Sequence, residues 1–148
     1  MMNISRRKIL KTLGGISLGS IFPISGHATG LKKISGRIFD DSVCYSFYPI
    51  DLHDKNGVVP DHLNDGIVPA IPLRALIPKN SRNFIVAGRC VSSDRMANSA
   101  LRVQASCMAM GQAAVATAAL ANKLNKTPLD IPIDTIKSLL SDHKAIVP

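Results

Sequence analysis

The segment from Cys107 to Leu120 is the feature that most constrains the fold of this 148-residue chain. Its residues are mostly Ala, Met, Gly and Cys, and none of them carries a charge. This composition predicts a helix that is apolar on every face, and such a helix has to be covered on all sides. Two interpretations stay open: the helix packs tightly on a neighbouring helix or sheet, or its small residues admit a flat apolar ligand.

The residues before this helix predict a strand, a turn and a helix start. The continuous apolar run Phe84–Ala87 is typical of a strand buried on both faces. Gly88 ends the run, where the backbone needs a positive φ or comes close to a ligand. A polar loop then leads to Ser106, the expected N-cap of the helix. The free N–H groups of a helix start in this position suit a phosphate.

The whole pattern predicts an α+β fold. Several strands, some of them antiparallel, are expected between residues 34 and 87. A long helix follows near 106–125, and a short amphipathic helix near 134–143. Prolines favour an extended path in the third strand signal and exclude a helix there. The three strand signals before residue 84 lie at Ile34–Phe39, Ser42–Ile50 and Val68–Pro78.

Two places in the β-rich part carry side chains suited to catalysis. Asp51 and His53 are two residues apart, so on a strand both face the same side, and the acid could orient the imidazole for proton transfer. Ordinary turn chemistry ahead of the Asn56-Gly57 turn signal explains the same residues. Arg74 stands in an apolar stretch, where it either faces solvent or directs its guanidinium at an anionic group.

Residues 1–30 have the three parts of an export signal. A basic segment, Ser5–Lys11, contains the pair Arg6-Arg7. An uncharged run follows over Thr12–Gly26, and Gly26-His27-Ala28 offers small residues for cleavage. The arginine pair resembles the twin-arginine class of signals, which predicts a bacterial protein that is periplasmic or exported. The uncharged run is too short to predict a stable membrane span.

The formal charge of +8 does not indicate a nucleic-acid partner. Four basic residues lie in the predicted signal, so the rest of the chain carries +4. Those remaining basic residues are scattered, without a stripe or interleaved aromatic side chains. Cys44, Cys90 and Cys107 contain no C-x-x-C pair and predict neither a full set of disulfides nor a metal site. We interpret Cys90 and Cys107 as small buried apolar residues.

Several of these segments together resemble the C-terminal motifs of FAD-dependent oxidoreductases. The resemblance is to the glutathione-reductase-like group, which has a two-dinucleotide-type FAD fold, and it extends over about residues 34 to 145. Two departures are that Val115 stands where the family's G-Q-A-A-G run ends in glycine, and that Ala105 stands where the family often has proline. The resembling segments are Asn83–Ser92, Arg102-Val103 and Cys107–Ala114, with Asp51-Leu52-His53 and Ile71–Pro78 similar to D-x-H and I-P-Y-R-x-L-I-P segments upstream.

The resemblance implies an FAD cofactor, with the N-terminal region of the long helix against the flavin and the Gly88-Arg89 turn along the cofactor. It further implies two substrate-side catalytic candidates, His53 and Arg74. Carried across by position, the cofactor-side candidates are Gly88, Arg89, Ser92, Arg102, Gly111, Gln112 and Ala113.

No G-x-G-x-x-G motif follows a strand in this sequence, so the βαβ unit that binds the FAD pyrophosphate is not among these residues. The expectation is that residues 31–148 are a truncated C-terminal part of an FAD-dependent oxidoreductase that contributes the flavin-facing side of the cofactor site. The alternative is a non-catalytic remnant or accessory subunit that needs a partner carrying the G-x-G-x-x-G domain. In both cases we expect weak or no FAD binding by the chain alone. We also expect an exposed apolar helix face that favours self-association.

Overall fold

The computed structural model describes residues 38–58 and 60–148, so the predicted signal and most of the Ile34–Phe39 strand lie outside the described residues. Within these two ranges four short strands come first and three α-helices follow, which confirms a fold with mixed α and β elements. The strands are β1 (Ser42–Tyr45), β2 (His53–Asp54), β3 (Gly57–Val58) and β4 (Ala70–Pro72), and the helices are α1 (Arg95–Leu101), α2 (Gln104–Leu124) and α3 (Ile133–Asp142).

The strands form two separate antiparallel pairs. β1 pairs with β4, and the register between them shifts between Ser42 and Cys44. Residues Ser42, Val43 and Cys44 of β1 are all buried, so this pair lies inside the core. β2 and β3 form a hairpin in which His53 is opposite Val58, around the turn that Asn56-Gly57 predicts.

The proline-containing segment holds one turn of helix, which the sequence prediction excluded. After β4 the chain enters a 3₁₀ helix over Leu73–Leu76. Pro72 precedes it at the N-cap, where a missing N–H costs nothing. Asp41 holds the start of this turn, because its carbonyl oxygen accepts from Leu73 N at 2.7 Å and its Oδ2 accepts from Arg74 N at 3.1 Å. Prolines on either side limit the helix to one turn but do not prevent it.

The prediction of a buried strand at Phe84–Ala87 is wrong. The segment has no ladder partner among the described residues, and Val86 N to Leu76 O at 2.7 Å is the backbone hydrogen bond that ties it to the fold. Phe84 is 60% exposed, and the three residues after it are half-buried. An apolar run becomes a buried strand only beside neighbouring strands, and the described part of the chain places none there.

Helix α1 occupies part of the segment expected to be a polar loop. Asp94 caps it, because its Oδ1 accepts from Ala97 N at 2.8 Å. Helix α2 then begins at Gln104 after Val103, with no side-chain cap. Ser106 is therefore not the N-cap, as predicted, but a buried residue inside α2. Its Oγ is 2.8 Å from Ser46 Oγ and donates to Ala100 O at 3.4 Å, which ties the α1–α2 junction to the chain after β1.

The end of α2 and the position of α3 agree with the sequence predictions. α2 ends at Leu124, and Asn125 follows in the left-handed region with φ of 53°. α3 buries Ile136 and Leu140 and half-buries Leu139, the three apolar residues expected on one face. Helix α2 packs against β1, α3 and the 3₁₀ turns at Gly88–Cys90 and Pro128–Asp130, and these contacts form the core.

The interpretation of Cys90 and Cys107 as buried residues holds in part for Cys107 and fails for Cys90. Cys44 is buried in β1 and Cys107 is half-buried on α2. Cys90 ends the 3₁₀ turn and is exposed, so the prediction that it is buried is wrong.

Candidate functional site

The turn at Gly88 lies against the first turns of α2. Gly88 has a φ of 69° and begins the one-turn 3₁₀ helix Gly88–Cys90. A Cβ added to it would lie 3.7 Å from Cys107 Cβ, which is an ordinary contact. The positive φ, and not a lack of space, therefore requires glycine here, as the sequence predicts.

Arg102 connects this turn to the predicted catalytic segment. Its carbonyl oxygen accepts a hydrogen bond from Arg89 Nε at 3.0 Å. Its guanidinium binds Asp51, because Nη2 donates to Asp51 Oδ2 at 3.0 Å and to the Asp51 carbonyl oxygen at 3.2 Å. Two residues expected on the cofactor side, Arg89 and Arg102, thus join one network with a residue expected on the substrate side.

His53 belongs to the same network. Its Nε2 is 3.4 Å from Asp51 Oδ2, and its side chain is 60% exposed while that of Asp51 is largely covered. The two residues face each other as their spacing predicts, although only His53 lies within β2 and Asp51 precedes it. The geometry leaves one edge of the imidazole ring against the carboxylate and most of the ring accessible to a ligand.

One face of α1 holds the backbone of this segment, and the sequence analysis did not identify it. Arg95 Nη2 donates to the His53 carbonyl oxygen at 3.4 Å, and Ser99 Oγ accepts from Asp51 N at 3.2 Å. Arg102, which directly follows α1, adds the contacts to Asp51. The spacing of these three residues, four and then three, places them on one helix face. Asp94 as an N-cap signal followed by this polar spacing could have revealed both the helix and its role.

Arg74 lies in a different cluster. Its guanidinium pairs with the Asp41 carboxylate and stacks on the Phe39 ring, with the guanidinium carbon 4.8 Å from the ring centre. Of the two orientations left open by the sequence, the one toward an anionic group is observed, and that group is Asp41 of the same chain. This arrangement joins the turn after Phe39 to the 3₁₀ helix that follows β4. It places Arg74 apart from the network of His53 and Arg102.

The candidates on α2 have three different environments. Gly111 is next to open space, because a Cβ added to it would meet nothing within 4 Å. Gln112 is exposed, whereas Ala113 is fully buried in the core. Ala113 therefore contributes to packing and presents no surface to a ligand, and Gly111 and Gln112 are accessible. Ser92, the remaining candidate, is half-buried beyond the Gly88 turn.

A cleft of about 680 Å³ runs beside the first half of α2, between β1 and the C-terminal segment. Its volume is typical of a small-molecule site and its walls are mainly apolar. Gln112 is the one cofactor-side candidate that lines it. Other lining residues include Tyr45, Phe47, Ala105, Met108 and Ile146.

Within residues 38–58 and 60–148, no group of three or more His, Cys, Asp and Glu side chains is arranged to hold a metal ion. In the same ranges no single helix is long and apolar enough to cross a membrane. Helices α1 and α2 reach that length and composition only as a pair, and they meet at an angle of 88°.

A family model described as FAD dependent oxidoreductase matches residues 27–140. The match covers more than half of the chain and includes the Asp51–His53 segment, the Gly88 turn and α2. The chain belongs to the FAD dependent oxidoreductase family. No curated protein and no solved structure matches it. The assignment to this family therefore rests on the family match alone. In this FAD dependent oxidoreductase family member, the matched region contains the Gly88 turn, α2 and the predicted substrate-side residue His53.

Proposed function

We propose that this chain contributes the C-terminal, flavin-facing part of the FAD site of an oxidoreductase in the glutathione-reductase-like group. The family match carries the proposal, because it spans every candidate residue of the site. When bound, FAD supplies the two-electron chemistry, and the protein positions the cofactor and tunes it.

The described residues fit one part of FAD. The start of α2 has no side-chain cap, so its first N–H groups and its positive dipole end suit the electron-rich edge of a flavin ring. Gly111 lies seven residues after Gln104, the first residue of α2. It has open space beside it, where a flat ring can approach the helix. Gly88, Arg89, Ser92, Arg102, Gly111 and Gln112 are the residues that would line the cofactor.

The pyrophosphate part of FAD has no matching motif in this sequence, since no G-x-G-x-x-G run occurs in it. We infer that a dinucleotide-binding domain outside these residues completes the cofactor site, and that a partner subunit carries it. A non-catalytic accessory role is the second candidate function, and the same missing motif favours it.

The experiment is to purify the chain alone and together with a co-expressed subunit that contains a G-x-G-x-x-G domain, and to record the visible absorbance of oxidised flavin. A colourless chain that becomes yellow with stoichiometric FAD only in the complex supports the proposal. A yellow chain purified alone contradicts the need for a partner. A yellow complex whose flavin cannot be reduced by any substrate of the partner favours the accessory role.

We also propose that residues 1–30 direct the protein to the periplasm through twin-arginine export. The family match begins at residue 27, within the predicted cleavage segment Gly26-His27-Ala28, so nearly all of the proposed signal lies outside the matched region. Changing Arg6 and Arg7 to Lys should retain the protein in the cytoplasm, measured by cell fractionation. Changing Lys8 and Lys11 to Arg, which keeps the charge and the arginine pair, is the control. Unchanged export of the first variant would exclude this route.

A further inference from the structure

The Asp51 carboxylate has two partners on one oxygen atom. Oδ2 accepts from Arg102 Nη2 at 3.0 Å and lies 3.4 Å from His53 Nε2. An ionised carboxylate can only accept hydrogen bonds, so it favours the form of the neutral imidazole that carries its proton on Nε2. In that form Nδ1 has the lone pair and is the basic nitrogen of the ring.

The surroundings of Asp51 fix its position more firmly than a surface ion pair would. Its backbone N–H is held by Ser99 and its carbonyl oxygen by Arg102, while the His53 carbonyl oxygen accepts from Arg95. These contacts come from Arg95 and Ser99 of α1 and from Arg102 directly after it, and Asp94 caps the start of this helix. A ring whose backbone and carboxylate partner are both held on a helix is pre-organised for proton transfer.

We propose that His53 accepts a proton at Nδ1 from an O–H or N–H group of a bound substrate, and that Asp51 and Arg102 are positioning residues for this transfer. The bond from the substrate oxygen or nitrogen to hydrogen breaks, and an Nδ1–H bond forms. The resulting imidazolium is stabilised by the Asp51 carboxylate, and Arg102 keeps that carboxylate in place. The proposal rests on the proposed function, and it assigns the substrate class as a molecule with an ionisable hydroxyl or amine hydrogen at its reacting end.

The cluster of Arg74 shows why His53 is the better candidate for a base. Arg74 and Asp41 also form an ion pair between two segments, but their side chains are 45% and 26% exposed, and the ring that stacks on Arg74 is that of Phe39. A guanidinium does not release its proton at physiological pH. Arg74 therefore joins the turn after Phe39 to the 3₁₀ helix that follows β4, whereas His53 is placed to accept a proton.

The test is nitrogen-15 NMR of the full chain with labelled histidine, which distinguishes the Nε2–H form from the Nδ1–H form. The His53 signals are assigned by their loss in His53→Gln. In the folded chain, the ratio of Nε2–H to Nδ1–H should exceed that in the urea-unfolded chain by about tenfold, the factor expected for one hydrogen bond to a charged group. An equal or lower ratio in the folded chain overturns the proposal without any variant.

Variants sharpen the same measurement. Asp51→Asn should return the ratio to that of the unfolded chain, and Asp51→Glu should restore part of it. Asp65→Asn, which removes an exposed carboxylate elsewhere, is the matched control and should leave the ratio unchanged. A folded Asp51→Asn chain with the wild-type ratio overturns the role of Asp51. Because the readout needs no flavin, its failure is distinct from a failure to bind FAD.

A second measurement uses the FAD-loaded complex with its partner. His53→Gln should lower kcat by about 10²–10⁴-fold, the range for loss of a general base, with a small effect on KM. Added imidazole should restore part of the lost rate. Full activity of His53→Gln overturns the proposal, whatever the NMR ratio is.

Discussion

One face of α2 lies in the core, and the opposite face has no covering element among the described residues. The two faces are chemically alike, as two methionines two positions apart show: Met110 is fully buried, whereas Met108 is 64% exposed. Ala113, Thr117 and Leu120 continue the covered side.

This difference shows what the uncharged composition of Cys107–Leu120, the central part of α2, means. A helix that is apolar on every face implies that every face has a partner, and the described chain supplies partners for one face only. The uncovered side includes the start of the helix and Gly111, the positions that the family resemblance places against the flavin. The missing cover is therefore expected to be FAD with a dinucleotide-binding domain.

The largest effect is expected on the covered face. Met110→Ala should lower the free energy of unfolding by about 2–5 kcal/mol, because it leaves a cavity in the core. Met108→Ala removes the same side chain from the exposed face and should change stability by less than about 0.5 kcal/mol. Urea unfolding followed by circular dichroism measures both. Similar losses for the two variants would mean that the exposed face is covered in solution.

The Cys44 thiol of β1 reports whether water reaches the core on which the covered face of α2 packs. Burial raises the pKa of Cys44 from 9.0 to about 12 in the folded chain. The unfolded thiol ionises first as pH rises, so the stability from the buried neutral thiol is present below pH 9. It is lost between pH 9 and pH 12, at up to about 1.4 kcal/mol per pH unit.

The measurement is the pH dependence of urea unfolding for wild type and Cys44→Ala. The wild type should lose stability more steeply than the variant in that window. Cys90→Ala removes an exposed thiol, retains Cys44 and should follow the wild type. Parallel curves for wild type and Cys44→Ala would show that water reaches this part of the core.

Alanine substitutions at two glycines should change the free energy of unfolding in opposite directions. Gly88→Ala should destabilise by about 1–2 kcal/mol, since its φ of 69° is unfavourable for any residue with a Cβ. Gly111→Ala should stabilise by about 0.5–1 kcal/mol, because Gly111 is inside a helix and has open space beside it. Thermal unfolding measures both. If Gly111→Ala instead abolishes flavin binding in the complex while stabilising the free chain, the glycine is there for the cofactor.

Local signals predicted part of this fold well. The end of α2 at Asn125 and the amphipathic α3 depend on residues close in sequence, and both were expected. The contact between Asp51 and His53 was also expected, since their spacing places them on one side. These features need no distant partner to form.

The rest depends on partners far along the chain. Arg102 and Asp51 are 51 positions apart, and nothing in either local sequence indicates their ion pair. The Phe84–Ala87 run has the composition of a buried strand, but a strand requires neighbouring strands, and the described residues place none beside it. Likewise Ser106 has the chemistry of an N-cap, yet its hydroxyl is buried against Ser46 from the chain after β1. In each case tertiary contacts decided the outcome.

The smallest effect on stability, and the most informative for the uncovered face, is expected for Val115→Lys. Val115 is 70% exposed, so the variant should unfold within about 0.5 kcal/mol of wild type. We predict that the chain alone self-associates through this face, and a lysine in its centre should shift the chain toward monomer in sedimentation equilibrium.

Ala114→Lys is the matched control, because Ala114 is the adjacent residue and is buried. It should destabilise by several kcal/mol, since an unpaired charge enters the core. If Val115→Lys leaves association unchanged, another surface is responsible. If it also blocks FAD uptake with the partner subunit, the surface that self-associates is the one that the dinucleotide-binding domain covers, and the two faces of α2 differ because one is completed only on assembly.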